Sequence, residues 1–274
     1  MSVNDNIPKN TRISIITVCL NAEKTIREAI ESVLSQNNKE YEYIIMDGGS
    51  DDLTVDRAKK YQSLFAKKNI DFYIYTEKDH GIYDAMNKGL FMARGEWIYF
   101  LNSDDKLAAH DVLDKFFSSQ VINTCDYIYG GSINQYDGKC YFRPACKPES
   151  VSYRIPFVHQ AVFAKRDLLL RNLFDTRFLY AADFNQFVKI YMSGYKIGVL
   201  DFAIAKYAME GVSQDNILAV INEQEMIRKE NGLYFKSFWR RKLRMLLVIT
   251  VRGNACLFSY YTKLKEMLGD RKRV

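Results

Sequence analysis

Residues 12–20 read RISIITVCL, and the fold is decided by the pattern this run begins. It is β-branched and apolar on both alternations, the signature of a strand buried on both faces of a parallel sheet. Residues 41–46 (YEYIIM), 72–75 (FYIY) and 97–101 (WIYFL) read as three further strands. The segments between them have helical spacing. Ile26, Ala29, Ile30, Val33 and Leu34 form one stripe, with Asn21 as a candidate cap. Val55, Ala58, Tyr61, Leu64 and Phe65 form a second, and 83–93 a third that Gly95 is placed to terminate. Strand and helix alternate four times, which predicts parallel βαβ units and an α/β, doubly wound sheet. After residue 105 the pattern loosens. Strands are expected at 126–129, 160–164 and 195–200, a helix at 183–192, and helical character from about 213.

Composition narrows the class. The chain has 274 residues, 48% hydrophobic and 26% charged, which excludes wholesale disorder. Five cysteines, an odd number without a CxxC, and a start unlike a secretory signal argue against a disulfide framework or zinc site. A reducing cytoplasm is the expected compartment. The net charge of +6 is uneven: residues 232–274 hold 11 Lys/Arg and 2 Asp/Glu, a net of +9, leaving −3 on 1–231. Basic groups interleaved with Phe235, Phe238 and Trp239 suit a helix lying on an anionic membrane, or one packed on the body with a solvated basic face. Arg252 and Asn254 interrupt the apolar run too early for a span. No nucleic-acid motif accompanies the charge, so nucleic acid is not an expected partner.

In an open α/β sheet, ligands bind outside the carboxyl ends of the strands. Three polar clusters occupy such positions: Thr17 to Asn21, Asp47 to Asp52, and Asn102 to Asp105. The turn after the first strand, Cys19-Leu20-Asn21-Ala22-Glu23, lacks the glycines of a dinucleotide site, and no P-loop occurs. The acids after the fourth strand suit Mg²⁺ or Mn²⁺, ions held by one or two carboxylates plus substrate phosphates. Asp104 and Asp105 are adjacent, so on extended backbone they point apart. One can face a metal while the other braces the loop; Asp105 could also cap a helix over 106–117.

Three blocks in this order, ISIITVCLN at 13–21, IIMDGGSDDLT at 44–54 and DHGIYDAMNKGLFMARGEWIYFLNSDD at 79–105, resemble family 2 glycosyltransferases with the GT-A fold, above all bacterial enzymes of capsule, O-antigen and exopolysaccharide synthesis. The likeness covers the first half of the chain closely and runs more weakly to about residue 200. It implies a GT-A domain over 1–212, with a nucleotide-sugar half at 12–105, an acceptor half at 106–212, and a helical extension at 213–274. It implies a nucleotide-diphosphate sugar, usually UDP-linked, and Mn²⁺ or Mg²⁺. Thr17 and Asn21, with Val18 and Glu23 alongside, fall where the nucleoside sits. Asp47 matches the first acid of the second-strand motif, and Gly48 stands where many members carry a second acid that contacts the base. Asn102-Ser103-Asp104 matches the DxD motif with Asn in place of its first Asp, leaving Asp104 as the main metal ligand and Asp105 in support. Asn87 and Lys88 match donor-side contacts, although Asp84 and Lys88, at i and i+4, could simply pair. His159 and Gln160 resemble an acceptor-side feature or a structural pair. Asp183, entering a helix, matches the catalytic base or caps that helix.

The implied reaction is inverting transfer to a hydroxyl of a glycan or lipid-linked acceptor, in cell-surface polysaccharide synthesis at the cytoplasmic side of the membrane. Two rivals stand beside it. A sugar-phosphate nucleotidyltransferase would carry a glycine-rich basic loop after the first strand, which is missing. A catalytically degenerate, membrane-docked nucleotide-sugar-binding subunit would explain Asn102.

Overall fold

The computed structural model describes residues 11–136, 139–208, 216–233 and 272–273. The chain divides into two compact units: Met1–Ile122 with Phe163–Leu173, and Asn123–Val162 with Phe174–Val274.

The first unit is the predicted βαβ array. Strand β1 (Ile13–Cys19) is followed by α1 (Ile26–Leu34), β2 (Tyr41–Asp47), α2 (Thr54–Lys59), α3 (Gln62–Lys67), β3 (Phe72–Thr76), α4 (Ile82–Met92) and β4 (Trp97–Phe100). A two-residue strand β5 (Lys106–Leu107) and helix α5 (Val112–Ser118) come next. The β1 register pairs Cys19 with Asp47 of β2 and Ile16 with Phe100 of β4, both parallel, and β3 extends β2 in the same sense. All seven residues of β1 and of β2 are buried, including the polar Ser14, Thr17, Glu42 and Asp47. After β6 (Tyr127–Tyr136) and β7 (Lys139–Arg143) of the second unit, β8 (Val162–Lys165) returns antiparallel to β4 and leads into α6 (Arg166–Arg171). Phe163 of β8 stacks on Tyr99 (4.8 Å) and on Phe116 (4.0 Å), closing the aromatic core around Trp97.

One buried charge, Glu42, is paired with the exposed Arg94 at the amino ends of these strands. Glu42, fully buried, accepts hydrogen bonds from Ser14 Oγ (2.6 Å) and from Arg94 N (2.7 Å) and Nε (2.9 Å), while the Arg94 guanidinium also meets Asp71 (2.8 Å). Gly95 lets the chain cross β1 at this point, since a Cβ there would lie 2.6 Å from the Ile13 carbonyl carbon. Helix α4 ends at Met92, so Gly95 serves this close approach and not helix termination. The expected helix over 55–65 is two helices that break at Lys60–Tyr61.

In the second unit, β6 (Tyr127–Tyr136) pairs antiparallel with β7 (Lys139–Arg143) and parallel with β9 (Ile197–Ala208). The β6–β9 register shifts on either side of Gly131. Helix α7 (Ala182–Met192) packs on α8 (Ile217–Glu230). Phe187 of α7 meets Tyr127, Tyr129 and Phe157, with centroids 4.8–5.9 Å apart. Among the described residues, no helix is long and apolar enough to cross a membrane. The basic run that was read as a membrane-surface helix lies, over 234–271, outside the described residues.

Candidate functional site

The first unit brings its three polar clusters to the carboxyl edge of β1, β2 and β4, where strand ends stay in register through Gly48 N–Cys19 O (2.8 Å) and Leu101 N–Ile16 O (2.9 Å). The loops after β1 and β2 are laced together. Asn21 N donates to Ser50 Oγ (2.8 Å), and Asn21 Oδ1 accepts from Asp51 N (3.1 Å). Ala22 N donates to Thr54 Oγ1 (2.7 Å), and Glu23 N to Asp52 Oδ2 (3.0 Å). Asn21 holds a left-handed φ of 50° to do this, a conformation that Asn tolerates better than most residues. It does not cap α1, whose N-cap is Thr25.

Asp47 is 1% exposed. One of its oxygens accepts Gly49 N (3.2 Å) and Ser50 N (3.1 Å), and the other accepts Ser50 Oγ, so this carboxylate ties down the turn. Thr17 is fully buried and accepts a hydrogen bond from Tyr43 Oη (2.9 Å), which turns its hydroxyl into the core. Val18 is buried beside it, in register with Met46. Glu23 Oε2 receives Leu53 N (3.4 Å) and faces Arg57 (3.9 Å). In the structure, Thr17, Val18, Glu23 and Asp47 thus act through burial and the bracing of these loops.

Above Gly48 lies a carboxylate that sequence reading missed. A Cβ on Gly48 would run into Asp79 Oδ2, so Asp79 fills the space over the end of β2. Asp79 Oδ1 accepts Gly81 N (2.9 Å) at the start of α4. The Cys19 thiol senses this group: burial, then Asp47, then Asp52 and Asp79, hold its pKa far above the ordinary thiol range. Asp79 stands 31 residues from Gly48 and in another loop, so spacing alone gave no signal for the pairing.

After β4, Asn102-Ser103-Asp104-Asp105 forms a turn closed by Asp105 N–Asn102 O (3.2 Å). Asp104 is exposed, whereas Asp105 is 3% exposed. Burial first, and then the charge of Asp105, push the Tyr99 phenol well above its ordinary pKa. The two acids thus face apart, Asp104 outward and Asp105 inward, within a turn and not on extended backbone. Asp105 does not cap a helix, because residues 106–107 are strand and α5 starts at Val112 with Asp111 as its N-cap. On α4, Lys88 meets Glu77 (2.9 Å) and Asp84 (3.4 Å) and donates to Lys78 O (2.8 Å), the pairing the spacing allowed; Asn87 lies half-buried beside it.

The donor set bears on the expected metal. Among the described residues, no three His, Cys, Asp or Glu side chains cluster as a cation site. A single exposed carboxylate beside Asn102 fits an ion whose remaining ligands come from a diphosphate and water. The neighbouring Asp52 and Asp79, both half-buried, make this edge acidic, which disfavours a bare diphosphate.

The second unit carries the other candidates. Asp183 is the second residue of α7, half-buried, and its Oδ1 accepts Phe184 N (2.8 Å). The N-cap of α7 is Ala181, so Asp183 is not the cap. Burial, followed by the charge of Asp183, raises the Tyr127 phenol well above its ordinary pKa. His159 and Gln160 lie in a 3-10 turn (His159–Ala161) packed against β6 and β9.

The sequence and the fold have counterparts in known proteins. The pattern of glycosyl transferase family 2 matches residues 14–165, and the chain belongs to that family. It is 29% identical over 168 residues to a PGL/p-HBAD biosynthesis glycosyltransferase of Mycobacterium tuberculosis, covering 57% of this chain and 59% of the relative. It is 32% identical over 142 residues to TuaG of Bacillus subtilis, which is named for teichuronic acid biosynthesis, covering 52% of this chain and 55% of that one. The chain thus spans little more than half the length of these curated relatives. The mannosyltransferase PcManGT of Pyrobaculum calidifontis, solved with GDP-Man and Mn²⁺, superposes with a TM-score of 0.62 over 94% of this chain and 81% of its own, at 17% identity. The fold is therefore GT-A, a mixed α/β sheet flanked by helices.

Proposed function

We propose that the protein is an inverting glycosyltransferase that moves a sugar from a nucleotide-diphosphate donor, UDP-linked in the first instance, to a hydroxyl of a glycan or lipid-linked acceptor in cell-surface polysaccharide synthesis. The observation that carries this reading is the carboxyl edge of the first unit. Its laced loops present the exposed Asp104 while Asp105 is held inside. Family membership and the nucleotide sugar bound by PcManGT support the donor class.

The nucleoside lies on the platform of Thr17, Val18, Asn21, Glu23 and Asp47. Asp79, covering Gly48, supplies the carboxylate that position 48 lacks. Asn87 and Lys88 border the donor. Asn102, Ser103 and Asp104 receive the diphosphate with its Mn²⁺ or Mg²⁺, and Asp105 keeps the turn in shape. When bound, that cation neutralises the charge that collects on the departing diphosphate. Asp183 accepts the proton of the acceptor hydroxyl as its oxygen attacks the anomeric carbon, and His159 and Gln160 border the acceptor. The GT-A domain runs to about residue 212. The basic stretch 232–274 attaches the protein to anionic lipid at the cytoplasmic face of the membrane, the compartment where its nucleotide sugar is made.

A donor panel tests the reading. The protein is incubated with Mn²⁺ and UDP-sugars or GDP-mannose, and free nucleotide is measured. Release from one donor supports the transferase. Donor binding without release supports the degenerate binding subunit, and pyrophosphate-dependent cleavage supports the nucleotidyltransferase.

A further inference from the structure

Helix α7 enters without a side-chain cap of its own: Ala181 is its N-cap, and no side chain of the capping position bonds to the exposed amides. A carboxylate from another helix instead holds the turn that leads into it. Glu223 of α8 accepts three backbone hydrogen bonds in the turn before α7: Leu179 N on Oε1, and Tyr180 N and Ala181 N on Oε2, each 2.9 Å. Hydrogen bonds to a charged acceptor are about twice as strong as neutral ones, and an anion at a helix N-terminus also meets the favourable end of the dipole. Five residues on, α8 grips the other flank of Asp183. The Arg228 guanidinium, 3% exposed, lies 4.6 Å over the Phe184 ring, and its Nε donates to Val151 O (3.1 Å). The two α8 side chains thus bracket Asp183, one on the turn before it and one on the ring after it.

We infer that Glu223 is a positioning residue for Asp183, and that α8, which sequence reading placed in an extension outside the transferase domain, sets the geometry of the proton acceptor. The inference rests on the reading of Asp183 as the base. Orientation is where catalysis is most sensitive: a shift of about 1 Å at a reacting group can cost on the order of 100-fold in rate. The three amide bonds fix the backbone two to four residues before Asp183, and the stacked guanidinium fixes the residue after it. Rotation of the first turn of α7 would have to break one set or the other.

The test uses the full-length protein, Mn²⁺ and whichever of the UDP-sugars or GDP-mannose is turned over fastest. Steady-state kcat and donor KM are measured for Glu223→Ala, Glu223→Gln, Asp183→Asn and the double variant Asp183→Asn/Glu223→Ala. The expected result is a kcat lower by about tenfold or more in Glu223→Ala, with donor KM within about twofold of wild type. Glu223→Gln loses kcat as well, because its NH₂ must face at least one amide N–H. Adding Glu223→Ala to Asp183→Asn should cost nothing further, since the group being oriented is already disabled. Wild-type kcat in folded Glu223→Ala, or an equal loss in both backgrounds, overturns the inference while leaving Asp183 in place. Full turnover in Asp183→Asn overturns the reading of Asp183 itself. Should Glu223→Ala fail to fold, Glu223→Gln decides alone: unchanged kcat overturns the inference, and a kcat loss at constant KM upholds it.

Discussion

The carboxylate of Asp79 covers Gly48, occupying the space that any side chain at position 48 would need. The acid that the second-strand motif lacks in sequence is thus present in space, delivered by the loop that enters α4. Its other oxygen holds the Gly81 amide (2.9 Å). Asp79→Ala is expected to weaken binding of UDP or GDP in the presence of Mn²⁺ about tenfold, near 1.4 kcal/mol, by removing a charge-assisted acceptor. Titration calorimetry giving equal affinities would remove Asp79 from the nucleotide site.

Asp183→Asn is expected to retain donor affinity and lose turnover by about 100-fold or more, the usual contribution of a general base. Parallel calorimetry and nucleotide-release assays measure the two quantities. Turnover within a few-fold of wild type would show that another group takes the proton.

Asp104→Ala should uncouple nucleotide affinity from the metal. In the wild type, replacing Mn²⁺ with a chelator should weaken nucleotide binding strongly; in the variant, the two conditions should give nearly the same affinity. A full metal response in the variant would move the cation to other ligands.

Stability at alkaline pH follows from buried acids whose neutral forms the fold prefers. Burial, reinforced by Asp47, raises the Cys19 thiol above its ordinary 9.0, and burial raises the phenols of Tyr41 and Tyr43 above 10.0. Because the folded values lie above the unfolded ones, the stability they contribute is intact below about pH 9. It declines as pH rises past the unfolded values toward the folded ones. Urea midpoints should therefore be flat between pH 7 and 8.5 and fall above pH 9 to 10. A midpoint that rises across that window would contradict the burial of these groups.

Glu42→Ala leaves the Ser14 hydroxyl and the Arg94 amide without their buried acceptor, while the exposed Arg94 guanidinium keeps Asp71 and Tyr73. Leaving buried polar donors without an acceptor costs about 1–3 kcal/mol, so chemical denaturation should show a loss of that order. A loss below about 1 kcal/mol would mean that the network is solvated.

Much of the first unit was legible in the sequence because its strands are buried on both faces. Such strands must be continuous apolar runs, and their carboxyl ends must carry the polar loops. The roles of Asp104 and Asp105 came instead from the likeness to the DxD motif, and the turn after β4 leaves Asp104 exposed and buries Asp105. What escaped was tertiary. Asn21 reads as a cap in the chain, yet its left-handed backbone ties two loops together instead. Thr17 reads as a ligand contact, yet strand alternation turns its hydroxyl toward Tyr43. Gly95 reads as a helix stop, and only the path of β1 beneath it explains the missing side chain. Asp79 and Glu223 act across long sequence separations, over which hydrophobic periodicity carries no information.

The proposed reaction turns on Asp104 as ligand of the cation and Asp183 as acceptor of the proton. A crystal structure of the Asp183→Asn variant with Mn²⁺ and its nucleotide sugar tests it most directly. The account predicts Asp104 coordinating the cation on the diphosphate, and residue 183 facing the anomeric carbon with room for one hydroxyl within about 3 Å of its side chain. A structure with residue 183 turned away from the sugar, on a face remote from the cation, would contradict it.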